Sequence, residues 1–107
     1  MSDLIRQQRH FLHLFVQTSS TQRKALLTTA TPSQLRVLCE IAHNVARGKV
    51  SIPSVDQKQL QRDRRFIHLL GDKHLGYKHK QTLVRGKQRT LYLLIKIAVT
   101  HLEPLLQ

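Results

Sequence analysis

The sequence predicts an all-α protein, a compact bundle of five or six helices, on three observations. Apolar residues recur at spacings of three and four, and nowhere do they alternate as a half-buried strand requires. Helix starts of the Ser/Thr-x-x-Gln type stand at Ser19 with Gln22, Thr31 with Gln34 and Ser54 with Gln57. Glycines at 48, 71, 76 and 86 punctuate the pattern where helices should stop.

Ser2 caps a first helix expected to run to about Gln17, with Leu4, Ile5, Leu12, Phe15 and Val16 near one face and Phe11 and Leu14 widening it. A short helix follows from about Ser20 to Thr29, its apolar content being Ala25, Leu26 and Leu27. The central helix then opens on Thr31 as N-cap, with Pro32 in the first turn, where its missing N–H would go unused. Leu35, Leu38, Ile41, Ala42 and Val45 form its apolar stripe. Gly48 ends it, because glycine takes a left-handed C′ conformation without a Cβ clash. Pro53 pushes Ile52 out of the helical region, so residues 49–53 read as an extended connector with Val50 and Ile52 available to the core. A helix from about Val55 to Leu70 should bury Leu60, Phe66, Ile67 and Leu70, and a short basic one should run from about Tyr77 to Arg85. The last helix, about Lys87 to Leu106, carries the broadest apolar face: Leu91, Leu94, Ile95, Ala98 and Leu102, with Leu93, Ile97 and Val99 at its sides. A face that wide is either central to the bundle or an interface for a partner.

Length and charge narrow the function. A chain of 107 residues fits a single helical domain spanning 1–107. Its 18 Lys and Arg against 6 Asp and Glu give a formal net charge of +12, which attracts polyanions, nucleic acid first and an anionic membrane surface second. The charge is also concentrated. Twelve of the 18 cations lie between Arg47 and Arg89, against Asp56, Asp63 and Asp72, so residues 47–89 read as a basic platform. Lys58, Arg62 and Arg65 fall on one helix face at spacings of four and three, beside Arg64. Lys73, Lys78, Lys80, Arg85, Lys87 and Arg89 surround the glycine turns. These ten residues are the expected phosphate contacts, giving affinity for duplex DNA with little sequence choice. A helix-turn-helix reading of the helices around residues 48–54 is weaker, because the connector is long and the second helix offers more Lys and Arg than Asn or Gln for base edges.

Other chemistries find little footing. One cysteine, Cys39, excludes an internal disulfide and sits on the predicted buried helix. Seven histidines supply pairs such as His10 with His13 or His74 with His79, but no zinc-like set of three or four ligands. Paired carboxylates and glycine-rich nucleotide loops are missing, so no enzyme, metal or cofactor is expected. No signal-peptide core and no membrane-length apolar run occurs, which points to a soluble, intracellular or intraparticle protein without a membrane partner. Tryptophan is absent and there are only five aromatic residues, an unpromising inventory for base stacking.

The run LLTTATPSQLRVLCEIAHNVARGKV, followed by RRFIHLLGDK and the basic turn to Arg85, resembles small basic proteins of adenovirus-like and polinton-like DNA viruses, over about residues 23–86. Those look like virion core or minor capsid components. The resemblance implies a structural role in the nucleus or virion interior, and it transfers no site residues. The expected function is therefore a non-enzymatic basic structural protein that neutralises and condenses DNA. The alternative is a helical interaction module in which Leu91, Leu94, Ile95 and Leu102 bind a second copy or a capsid partner.

Overall fold

In the computed structural model the backbone is described for residues 3–106 and the side chains for residues 3–100. The Ser2 cap and the side chains of Leu102, Leu105 and Leu106 fall outside those limits. Among the described residues the chain forms eight helices and no strand: α1 (Asp3–Gln7), α2 (Arg9–Gln17), α3 (Ser20–Thr28), α4 (Pro32–Ala46), α5 (Ser54–Arg62), α6 (Arg64–Leu70), α7 (Tyr77–Gly86) and α8 (Gln88–Leu106). The expected five or six become eight because two long helices bend. Gln8 and Asp63 both sit near the bridge region of backbone space, at φ −99°, ψ 15° and φ −105°, ψ 21°. The hydrogen-bond ladder continues through each bend, Leu12 N–H to Gln8 C=O and Ile67 N–H to Asp63 C=O, both at 3.0 Å. The first bend lets α1 pack Ile5 toward α4 while α2 lays Phe11, Leu12 and Phe15 on the core beside α8.

α4 is the hub, in contact with α1, α6, α7 and α8. Both of its ends follow from sequence. Thr31 accepts from the Gln34 N–H and Gln34 accepts from the Thr31 N–H, closing the capping box, with Pro32 at the first helical position. At the other end Gly48 takes φ 70°, the Lys49 N–H reaches Asn44 C=O and the Gly48 N–H reaches Val45 C=O, a Schellman closure. Thr31→Ala is expected to lower stability by about 1 kcal/mol, the usual worth of an N-cap, read as the urea midpoint. The third box does not form. Ser54 is already helical behind the N-cap Pro53, and the Gln57 side chain donates instead to Ile52 C=O at 3.2 Å.

The stripe Leu35, Leu38, Ile41, Ala42 and Val45 is buried, and so are Val37 and Cys39 on its flanks, since neighbours cover α4 on several sides. Leu60, Phe66, Ile67 and Leu70 are buried as expected, and Val50 and Ile52 of the connector pack against the same cluster. Leu91, Leu94 and Ile95 are 0% exposed. They are core, which corrects their assignment to a partner interface: from Leu91 to Ala98 the apolar face of α8 packs within the chain itself, chiefly on α2 and α4. α3 is tied to α8 by the Gln88 side chain, which donates to Ser20 C=O, and by the Arg23 guanidinium, 4.2 Å above the Tyr92 ring.

Two close approaches set the surface described next. Gly71 follows α6 and is buried against α4, where an added Cβ would stand 2.7 Å from His43 Cα and 2.8 Å from His43 N. Only a residue without a side chain lets the two helices meet there. The other is at Asp63, whose side chain is 14% exposed and receives hydrogen bonds from Thr90, from Gln59 at 3.2 Å and from Lys87 Nζ at 3.4 Å. The Thr90 hydroxyl is the main cause, with Lys87 and Gln59 adding to it, that holds the Asp63 carboxyl below its ordinary range against some desolvation. A depressed carboxyl contributes stability that is complete above its unfolded value of about 3.9 and lost as pH falls through the folded one. Asp63→Asn is expected to cost about 1 to 2 kcal/mol at neutral pH. The same variant should lose part of the wild-type decline in melting temperature on acidification below about pH 4.

Candidate nucleic-acid interface

α6 is a short ridge. Phe66, Ile67 and Leu70 point into the core, leaving Arg64 with His68 along one edge of its outer side and Arg65 with Leu69 along the other. A groove runs beside each edge.

The first groove follows the seam between α4 and α6. It begins over an apolar floor of Val45, Ile52, Leu60 and Ile67, rimmed by Arg64 and His68. It continues past Ala46 and His68 to the point where Gly71 meets His43, with Arg47, Lys73 and His74 on its walls beside the carboxylate of Asp72. It ends in a cleft of 410 Å³ where Arg36, Lys49, Lys73 and Lys80 converge around Glu40. These stretches share residues end to end, so they form one furrow. From Arg36 to Arg47 it follows roughly 16 Å of helix at 1.5 Å per residue. That length matches about five phosphates of one DNA strand at about 3.4 Å of axis each. The second groove lies between α6 and α7, where Arg62, Arg65 and Lys87 surround Phe66, Leu69 and Leu83.

The expected contacts therefore divide. Arg64, Lys73 and Lys80 enter the furrow, while Arg62, Arg65 and Lys87 enter the second groove. Arg62 and Arg65 meet in the second groove across the bend at Asp63, while Lys58, one turn earlier on α5, is exposed outside both grooves. Lys78 and Arg85 are exposed on α7 and Arg89 on α8, again outside the grooves. Lys87 is the cation of this half that an acid holds among the described residues, 3.4 Å from Asp63, so less of its charge is free for a phosphate. Sequence reasoning missed Arg36, Arg47 and Lys49, and the three histidines 43, 68 and 74. Arg36 was legible as the polar side of α4, but its nearness to Lys73 and Lys80 depends on how α6 and α7 fold back.

Burial pushes the Cys39 thiol up, and nearby Lys80 offsets this only in part, so the nucleophilic thiolate is disfavoured. His43 Nδ1 lies 3.1 Å from Gly71 C=O, a satisfied structural contact. No cluster of three or more His, Cys, Asp or Glu able to hold a metal ion occurs among the described residues. Nor is any helix among them long and apolar enough to cross a membrane.

Fold and surface together define a class: a small, strongly basic all-α protein with cation-lined grooves on either side of α6. The chain matches no protein-family model, no curated protein and no solved structure.

Proposed function

We propose that this chain is a non-enzymatic structural protein that binds nucleic acid, duplex DNA in the first place, chiefly through phosphates and with little sequence preference. The observation that carries the reading is the flanked ridge: Arg64 and the furrow cations on one side of α6, Arg62 and Arg65 on the other. An outward helix side with cations along both edges suits a groove of DNA bordered by two phosphate backbones. The aromatic inventory favours duplex over single strands. Phe11, Phe15 and Phe66 are buried and Tyr92 lies under Arg23, which leaves Tyr77, 43% exposed, as a platform for stacking. Packaging of a genome inside a virion or nucleus, the setting that the viral resemblance implies, belongs to the same proposal. The interaction-module alternative finds less support, because Leu91, Leu94 and Ile95 of its proposed face are core residues.

The test is a binding series on random duplex, single-stranded DNA and RNA as salt rises from about 50 to 200 mM. A protein neutralising about six phosphates should lose on the order of 10³ in duplex affinity over that range. Binding that is indifferent to salt, or stronger for single strands than for duplex, contradicts the reading.

A further inference from the structure

We propose that the closed end of the furrow, between α4, the turn after α6 and α7, is a binding site for a compact, multiply charged phosphate: the terminal phosphate of a strand or a short free polyphosphate. Four cations converge on this cleft from separate parts of the chain, Arg36 on α4, Lys49 after it, Lys73 in the turn before α7 and Lys80 on α7, against the single carboxylate of Glu40. Bringing like charges together is unfavourable on its own, and a dianionic or more highly charged ligand removes that repulsion. The depth is real. Lys80 is only partly exposed and lines the same cleft as the buried Cys39. One guanidinium and three ammonium groups together suit a polyphosphate, with the planar fork of Arg36 taking two oxygens of one phosphoryl and the lysines serving as point charges to the others. A lone carboxylate ligand would leave most of them unbalanced. This site rests on the same basic furrow as the duplex reading and shares Arg36, Lys49 and Lys73 with it; what the duplex needs besides is the far side of α6 with Arg62 and Arg65, so variants there let the two proposals fail separately.

Calorimetric titration of the whole chain with sodium tripolyphosphate tests it, beside duplexes carrying 5′-phosphate or 5′-hydroxyl ends. The wild type is expected to bind one tripolyphosphate. In Lys49→Gln/Lys73→Gln, both exposed positions, affinity should fall about tenfold or more, the worth of one or more charge-assisted hydrogen bonds. The control Arg62→Gln/Arg65→Gln removes the same charge outside the cleft and should change tripolyphosphate affinity less than about twofold. A preference for 5′-phosphate ends that the cleft variant abolishes identifies a strand terminus as the natural source. Equal affinity for both duplexes, with tripolyphosphate still bound in the cleft, identifies a free polyphosphate. No binding of tripolyphosphate, or equal losses in the two double variants, overturns the site. Loss of duplex affinity in the Arg62/Arg65 control with tripolyphosphate binding intact keeps the two proposals distinct.

Discussion

Reversing three charges, Arg62→Glu, Arg64→Glu and Arg65→Glu together, is expected to reduce duplex affinity by on the order of 10³ while leaving helicity unchanged. All three side chains are exposed at the junction of α5 and α6 and along the outer side of α6, so none supports the core, and circular dichroism should overlay the wild type. The salt dependence is the sharper readout. If each arginine neutralises one phosphate, the slope of log affinity against log salt should become shallower by about 2.7, or about 0.9 per contact. Lys24 and Lys96, exposed on α3 and α8, are the comparison. Reversing those two should cost little beyond the general change in net charge. Comparable losses from both sets would mean that DNA responds to total charge and not to the flanks of α6.

The second large effect is structural. Gly71→Ala is expected to destabilise the protein by about 2 kcal/mol, a drop of roughly 10 °C in Tm for a domain of this size, and Gly71→Val by more. The cause is space, because the backbone conformation there, φ −82°, ψ −3°, is open to any residue. A methyl group would press on His43 backbone at 2.7 and 2.8 Å, and hydrogen-bonded backbone in the last turn of α4 cannot step aside as a flexible side chain would. Gly86→Ala is the control. No atom stands within 4 Å of the added Cβ there, and alanine should be neutral or stabilising by up to about 1 kcal/mol. Melting curves of the two variants separate a packing glycine from a turn glycine.

Local signals in the sequence were strong enough to place most helices. Thr31, Pro32 and Gln34 set one end of α4 and Gly48 the other, through hydrogen bonds spanning a few residues, and such short-range chemistry reads directly from the chain. Leu35, Leu38, Ile41, Ala42 and Val45 announced a buried face for the same reason. The bends at Gln8 and Asp63 were hidden. The bend at Asp63 coincides with bonds from Thr90 and Lys87, 27 and 24 residues away, and periodicity carries no trace of such partners. The missing Ser54 cap is a local miss: Pro53 took the N-cap position and moved the start by one residue.

The site was legible in its charge and obscure in its shape. That residues 47–89 form the cationic half follows from counting, but which of these cations meet in a groove, Arg62 and Arg65 with Lys87 and without Lys58, depends on how α7 packs beside α6. The furrow could not be seen at all, because it exists where Gly71 lets α6 close on α4 and brings Arg36 within the same cleft as Lys73 and Lys80. In the last helix the periodicity gave an apolar face and left its cover open. The answer lay in α2 and α4, which bury Leu91, Leu94 and Ile95.

The most direct measurement is a ¹⁵N NMR titration of the chain with a short random duplex. Backbone amide shifts are expected to concentrate at Arg62, Arg64, Arg65 and His68 on the ridge and at Arg47, Lys49 and Lys73 along the furrow, with Leu12, Phe15 and the middle of α8 unmoved. Shifts spread evenly over the exposed lysines and arginines, or centred on α2 and α3, would contradict a DNA-binding surface built around α6.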